Sequence, residues 1–81
     1  MTRFEYYDEM QDLCKQLSVE YKKKDSHRSA FYNNCSIGYI NKKFRLTAKE
    51  AVEPAEQFLV IRLQKLKEEL KELEAVEDDD E

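Results

Sequence analysis

The chain has 81 residues, which is enough for one domain at most. Charged residues make up 40% of it, and a single glycine and a single proline leave few chain breakers, a composition typical of long solvated helices. No apolar run approaches the roughly 18 residues of a membrane span, and no basic-then-apolar segment opens the chain, so we expect a soluble, cytoplasmic protein with no membrane contact and no secretory signal.

The net charge of −4 conceals a strong asymmetry along the chain. Residues 22–49 carry eight basic groups against one acidic group, whereas residues 50–81 carry four basic and twelve acidic groups. A basic middle followed by an acidic end is therefore the main charge feature of the sequence.

The first predicted element is a helix over residues 3–23. Thr2 and Glu5 fit a capping box, in which each side chain bonds the backbone amide of the other residue. Apolar side chains then recur at helical spacing as far as Tyr21, and three lysines follow, where cations offset the negative pole of the helix dipole. After a polar break, a cluster of apolar and aromatic residues predicts a short second helix over residues 28–36.

The following segment, residues 36–46, allows two interpretations. In the first, two short strands form a β-hairpin, which the enrichment in β-branched and aromatic residues favours. In the second, the helix continues with Ile37, Ile40 and Phe44 on one face, and Gly38 is tolerated at a cost of about 1 kcal/mol.

A short helix is predicted to begin at Thr47, which fits a second capping box with Glu50. Pro54 interrupts this helix because it has no amide donor and crowds the preceding turn. The main C-terminal helix is predicted over residues 54–76. Residues 77–81 are all acidic and lie at the negative pole of that helix, so we expect a disordered tail there.

These elements together predict a mainly α fold in a single domain over residues 1–76. We expect a small helical domain, either an antiparallel helical hairpin or a three-helix arrangement, with a short irregular or β-hairpin centre and a long leucine-seamed C-terminal helix. A chain of this size buries only about 60% of the surface of its unfolded form, so an apolar helix face needs a partner.

Five leucines on the last helix recur at steps of four, three, four and three: Leu59, Leu63, Leu66, Leu70 and Leu73. This is the a/d repeat of a helix that buries one narrow seam against another helix. A parallel homodimer would pair like charges at the flanking positions, so a parallel zipper is disfavoured. An antiparallel pairing remains open, either with the first helix of the same chain or with a second molecule.

Few residues suggest catalysis or cofactor binding. Cys14, His27 and Cys35 lack the paired two-to-four-residue spacing of zinc ligands, and a single glycine provides no phosphate-cradling loop. We therefore expect buried unreactive thiols, a histidine on a surface loop, no metal, no cofactor and no enzymatic activity.

The basic middle contains seven cations that suit contact with a polyanion: Lys22, Lys23, Lys24, Arg28, Lys42, Lys43 and Arg45. Aromatic side chains lie between them, a combination found on single-strand and RNA-binding surfaces. The isoelectric point of about 5.1 counts against nucleic-acid binding. A further hypothesis is that the acidic tail folds over the basic middle and masks it.

The leading prediction is a small non-enzymatic protein-interaction module, such as an adaptor, a regulator or an inhibitor. It is expected to bind a partner helix, or to form a homodimer, through the five leucines. The alternative is a small nucleic-acid-associated regulator that uses residues 22–49.

Overall fold

The protein is described by a computed structural model, which covers the backbone of residues 1–79 and the side chains of residues 1–75. Four helices follow one another in this part of the chain: α1 (Arg3–Tyr21), α2 (Ser26–Arg45), α3 (Ala48–Val52) and α4 (Gln57–Asp79). The predicted mainly α fold is confirmed. The predicted disordered tail, residues 77–81, lies outside the described side chains.

The first helix begins at the predicted capping box. The Thr2 hydroxyl accepts a hydrogen bond from the Glu5 amide at 3.1 Å, and the Thr2 amide donates to the Glu5 carboxylate at 2.8 Å. These two bonds lower the pKa of the Glu5 carboxyl. α1 ends at Tyr21, two residues before the predicted end, and a turn over residues 22–24 leads to α2.

The predicted β-hairpin over residues 36–46 is wrong, because α2 runs without a break from Ser26 to Arg45. The Asp25 carboxylate caps this helix by accepting from the Arg28 amide at 3.2 Å. The second predicted helix, residues 28–36, is therefore the first half of a longer element. The described residues contain no strand, only an isolated antiparallel bridge near the N-terminus.

The side chains of α2 that face α1 explain why the sequence pattern favoured a hairpin. The inward face includes Ser36, whose hydroxyl donates to the Gln11 carbonyl at 2.8 Å, and Lys43, whose ammonium lies 3.0 Å from the Asp8 carboxylate. The continued-helix interpretation gave the helix correctly, but polar residues on the packed face produce no apolar period, so the sequence pattern does not show which face packs on α1.

The two long helices α1 and α2 form an antiparallel hairpin with a close approach near its turn. Ser18 and Ser29 face each other there, and each hydroxyl donates to the carbonyl of the other residue at 2.8 Å. Both side chains are short, so the two backbones come close together, and both hydroxyls are satisfied without water.

The last helix runs parallel to α1, not antiparallel to it as the seam analysis allowed. The N-terminal segment fixes its start: the Arg3 amide donates to the Glu53 carbonyl at 2.8 Å, and the Ala55 amide donates to the Met1 carbonyl at 2.9 Å. α4 starts at Gln57 instead of residue 54 because this extended pairing occupies the residues around the proline. Because α2 runs antiparallel to α1 and brings the chain back to the N-terminal end of α1, α4 then runs in the same direction as α1.

The core is centred on α1, which lies between α2 and α4. Its buried apolar residues come mostly from α1: Tyr6, Met10, Leu13, Cys14, Leu17 and Tyr21, joined by Tyr32 of α2 and Leu63 of α4. Within the described residues, α2 and α4 both pack on α1 but not on each other along their backbones. None of the described helices combines the length and the apolar character needed to cross a membrane.

Candidate protein-interaction surfaces

The five leucines of the seam lie on the side of α4 that faces the core of the same molecule. Leu63 is 1% exposed, and the other four are half-buried against the core: Leu59, Leu66, Leu70 and Leu73. The seam is therefore covered by α1 at Leu63 and partly exposed at the other four leucines. Its predicted contact with a second molecule stays a prediction.

The C-terminal part of α1 is tied to α4 by hydrogen bonds. The Tyr21 hydroxyl donates to Glu69 Oε2 at 2.7 Å, and the Tyr32 hydroxyl donates to the same oxygen at 2.9 Å. The two phenol rings stack with 5.7 Å between their centroids and 8° between their planes. Arg28 Nη1 in turn donates to the Tyr21 hydroxyl at 3.2 Å. We call Tyr21, Tyr32 and Glu69 the tyrosine–glutamate cluster.

Both phenols of the tyrosine–glutamate cluster are held in the neutral form. Burial raises the pKa of Tyr21 and of Tyr32, and the hydrogen bond to the Glu69 carboxylate raises the pKa of each phenol further. A negative acceptor disfavours a phenolate beside it. The two hydroxyls therefore act as donors at neutral pH.

The seven cations proposed for polyanion contact do not form one patch. They divide between the start and the end of α2, with Lys22, Lys23, Lys24 and Arg28 at one end and Lys42, Lys43 and Arg45 at the other. The 14 residues from Arg28 to Lys42 span about 21 Å of helix. Arg28 lies 3.6 Å from the Asp25 carboxylate, and Lys43 is paired with Asp8. This distribution does not favour the nucleic-acid alternative.

An open groove separates α2 from α4 above α1, with a volume of about 260 Å³. Its lining comes from all three helices: Met10 and Cys14 of α1, Phe31, Tyr32, Cys35 and Tyr39 of α2, and Arg62 and Leu66 of α4. We call it the α2–α4 groove. Its floor is buried core, and its walls include Phe31, which is 59% exposed.

The α2 wall of this groove continues towards the end of the helix. Cys35, Gly38, Tyr39 and Lys42 line an adjoining cavity of about 170 Å³. Phe31, Cys35, Gly38 and Lys42 follow at steps of four, three and four, so they share one side of α2. The wall is low at Gly38: apart from its own helix backbone and chain neighbours, no described atom lies within 4 Å of the position a Cβ would take.

Positive charge gathers at one end of the α2–α4 groove. Lys42 Nζ lies 5.3 Å from the centroid of the Tyr39 ring, and Arg62 lies on the opposite wall. Both cations are exposed to solvent. At the other end, Tyr32 brings the Glu69 carboxylate into the groove region. The two ends of the groove therefore differ in charge.

A second apolar surface, which we call the outer face of α2, consists of Ile37, Ile40 and Phe44. Ile37 is 50% exposed, Phe44 is 78% exposed, and Ile40 is half-buried. Lys43 Nζ lies 5.4 Å from the centroid of the Phe44 ring and 5.7 Å from that of Phe4. The continued-helix alternative placed these three residues on one face, and that face points to solvent.

The residues considered for metal binding or catalysis lie in two places, the two cysteines beside the groove and His27 near the start of α2. Cys14 is buried and Cys35 half-buried, and both are free thiols beside the groove. Burial, with a smaller contribution from Cys35, raises the pKa of Cys14 to about 11, so its thiol is protonated at neutral pH. His27 is exposed near the start of α2. No group of three potential metal ligands occurs among the described residues.

Sequence reasoning identified one contact residue on each wall of the groove and missed others. Leu66 and Lys42 were named in advance, but Arg62, Gly38 and Glu69 were not among the proposed contact residues. Gly38 had a signal, since it is the only glycine of the chain and lies within a helical pattern. Glu69 had none, because one carboxylate among many on a solvated helix looks like its neighbours.

Comparison of the chain with protein-family models, curated proteins and solved structures finds no match. A function for the chain is therefore inferred from its own residues. The features that support an inference are the α2–α4 groove, its basic end and the leucine that reaches it.

Proposed function

We propose that the protein is a non-enzymatic interaction module, such as an adaptor, a regulator or an inhibitor, that binds a helix of a partner protein in the α2–α4 groove. The observation that supports this proposal is the groove itself, which has a buried floor and aromatic and aliphatic walls. Amphipathic helices bind such grooves through their apolar faces. Among the five leucines of the predicted seam, Leu66 lines the groove.

A helix suits this groove because helices already enclose it on three sides. α1 forms the floor and α2 and α4 form the walls, so a helix from a partner would cover the side chains that remain exposed between them. Complete burial of a side chain such as Phe31 contributes about 1.5–3 kcal/mol. Phe31 is 59% exposed, and Cys35, Tyr39 and Leu66 are half-buried, so a bound helix would gain its apolar contact mainly from these four side chains.

The chemistry of the groove supports binding rather than catalysis. The Cys14 thiol is protonated at neutral pH because its pKa is raised to about 11, and thiols react as thiolates. The Tyr32 hydroxyl is held as a donor to Glu69. Neither group is prepared to act as a nucleophile or as a general base.

Self-association through the leucine seam, the predicted homodimer, is the other form of this proposal. Leu63 is 1% exposed against α1, so a dimer that uses Leu63 requires that α4 leaves α1, whereas the other four leucines of the seam are half-buried. Light scattering over a tenfold range of concentration separates the two forms. A mass of one chain throughout supports a separate partner, and a mass of two chains that falls on dilution and is abolished by Leu66→Glu supports the seam dimer.

The proposal is tested with a synthetic amphipathic peptide of about 18 residues, with leucines at helical spacing. We expect amide signals of the groove residues to shift when the peptide is added to the ¹⁵N-labelled protein, and those of the outer face of α2 to stay. Gly38→Trp fills the low part of the wall and should abolish binding.

The matched control is Ile37→Trp, which adds a similar side chain to the outer face of the same helix. It should leave the affinity for the peptide within about twofold of the parent protein, a change of about 0.4 kcal/mol. Binding that Gly38→Trp leaves unchanged, or signal shifts confined to the outer face, would contradict the proposal.

A further inference from the structure

We infer that the helix bound in the α2–α4 groove approaches α2 most closely at Gly38 and has the same chain direction as α2. Its C-terminal half is acidic, and its carboxylates lie at Lys42 and Arg62. This inference rests on the proposed function, since it specifies the chemistry and the direction of the helix that occupies the groove.

The first argument is that nothing in the described protein explains the glycine at position 38. A glycine weakens a helix relative to alanine and is needed where φ is positive or where another group approaches the backbone closely. Gly38 lies in the second half of α2 and does not have a positive φ. The space next to it is empty among the described residues. A helix docked at this point would supply the close approach.

The second argument is the charge of the walls at this end. α2 contains no Asp or Glu between Ser26 and Arg45. Lys42 on one wall and Arg62 on the other are both exposed, and the Tyr39 ring lies 5.3 Å from Lys42 Nζ and lines the groove together with Arg62. A partner with carboxylates here forms ion pairs on both sides, whereas a partner with lysines meets two like charges.

The third argument concerns direction, because the groove ends in opposite charges. At the end away from Lys42 lie two carboxylates, Glu69 and Asp25, and one guanidinium, that of Arg28, which donates to the Tyr21 hydroxyl and lies 3.6 Å from Asp25. The N-terminus of a helix carries partial positive charge and its C-terminus partial negative charge. A bound helix is therefore favoured with its N-terminus near Glu69 and its C-terminus near Lys42 and Arg62. That direction is the direction of α2.

The test uses three synthetic helical peptides with identical leucine positions. The first has glutamates in its C-terminal half, the second has them in its N-terminal half, and the third has lysines in place of the glutamates of the first. Binding to the full protein is measured by fluorescence anisotropy. We expect the first peptide to bind at least tenfold more tightly than either of the others.

A charge-reversed protein provides the decisive comparison. The double variant Lys42→Glu with Arg62→Glu should lose its preference for the first peptide and prefer the lysine peptide. The double variant Lys15→Glu with Lys71→Glu has the same net charge as the first double variant and is the matched control. Lys71 lies on the side of α4 opposite to Arg62, and neither lysine lines the α2–α4 groove. This control should keep the order of affinities of the parent protein, and circular dichroism should show equal helix content in all three proteins.

The outcomes separate the inference from the proposed function. Equal binding of the three peptides, with signal shifts in the groove, would overturn the inference and leave the groove as the binding site. Tighter binding of the second peptide would overturn the assigned direction. No binding of any peptide would overturn both the groove function and the inference.

Discussion

Tyr21 and Glu69 are 48 positions apart in the chain, and a hydrogen bond of 2.7 Å between them ties the end of α1 to the middle of α4. The same carboxylate accepts from Tyr32 at 2.9 Å, so one side chain of α4 is bonded to both helices of the hairpin. Among the side chains of α4 that the structure describes, Leu63 alone is fully buried in the core. The tyrosine–glutamate cluster therefore holds the middle of α4, and with it the width of the α2–α4 groove, together with the packing of the leucines on the core.

Glu69→Leu is expected to lower the free energy of unfolding by about 1–3 kcal/mol, because two partly buried hydroxyls lose their acceptor. Urea denaturation followed by circular dichroism measures the change. Glu68→Leu is the matched control, since Glu68 is the exposed neighbour of Glu69 on the same helix. Equal effects of the two substitutions would show that the tyrosine–glutamate cluster does not hold α4.

The raised pKa values of Tyr21 and Tyr32 predict a loss of stability at alkaline pH. A tyrosine in the unfolded chain ionises near pH ~10, and in the folded protein these two ionise at higher pH. The folded state then holds these protons more tightly than the unfolded state does. The stability that the two neutral phenols contribute is therefore complete below pH ~10 and is lost as the pH rises through their raised pKa values.

Urea denaturation at about pH 8 and at about pH 11 tests this dependence, because the second condition lies above the ordinary tyrosine pKa. Tyr32→Phe removes one of the titrating phenols, so the variant should lose less stability between the two conditions than the parent protein. A parent protein and variant with the same alkaline loss would assign that loss to other groups whose pKa is raised by burial, such as Tyr6 and Cys14.

Leu63→Ala is expected to destabilise the protein by about 2–5 kcal/mol, because it removes a fully buried side chain and leaves a cavity between α4 and α1. Ile61→Ala on the same helix is the comparison, since Ile61 is 47% exposed and should cost much less. Urea denaturation of both variants gives the difference. A small effect at Leu63 would mean that α4 does not pack on α1 through its seam.

Local signals in the sequence predicted the ends of several elements. The two capping boxes, at Thr2 and Thr47, involve residues three positions apart, so the spacing alone predicts them. Pro54 likewise marked the end of α3. Contacts of short range in the chain are visible in this way because they need no knowledge of the fold.

The orientation of α2 could not be predicted in the same way. Its inward face contains Ser36 and Lys43, which bond Gln11 and Asp8 across the hairpin, while Ile37 points to solvent. A rule that places apolar residues inside selects the wrong face here. The polar partners lie 25 and 35 positions away in the chain, so they become visible only when the hairpin is formed.

The candidate site was predictable in part for the same reason. The leucine repeat indicated that α4 packs on a helix, and Leu66 is shared between that packing and the α2–α4 groove. Arg62 and Lys42 lie on opposite walls of the α2–α4 groove only because α2 and α4 both pack on α1. The sequence does not indicate that two charged residues on separate helices face the same groove.

Gly38→Ala is expected to raise the free energy of unfolding by about 0.5–1 kcal/mol, because alanine favours the helix and the added Cβ meets no described atom within 4 Å. In a domain of this size, a gain of about 1 kcal/mol raises Tm by roughly 4–8 °C. Thermal and urea denaturation measure the gain.

The methyl group that Gly38→Ala adds also hinders the close approach of a bound helix to α2, so the affinity for the acidic peptide should fall while stability rises. A loss of stability in this variant would contradict a continuous α2 at position 38, and unchanged affinity would contradict a docked helix there.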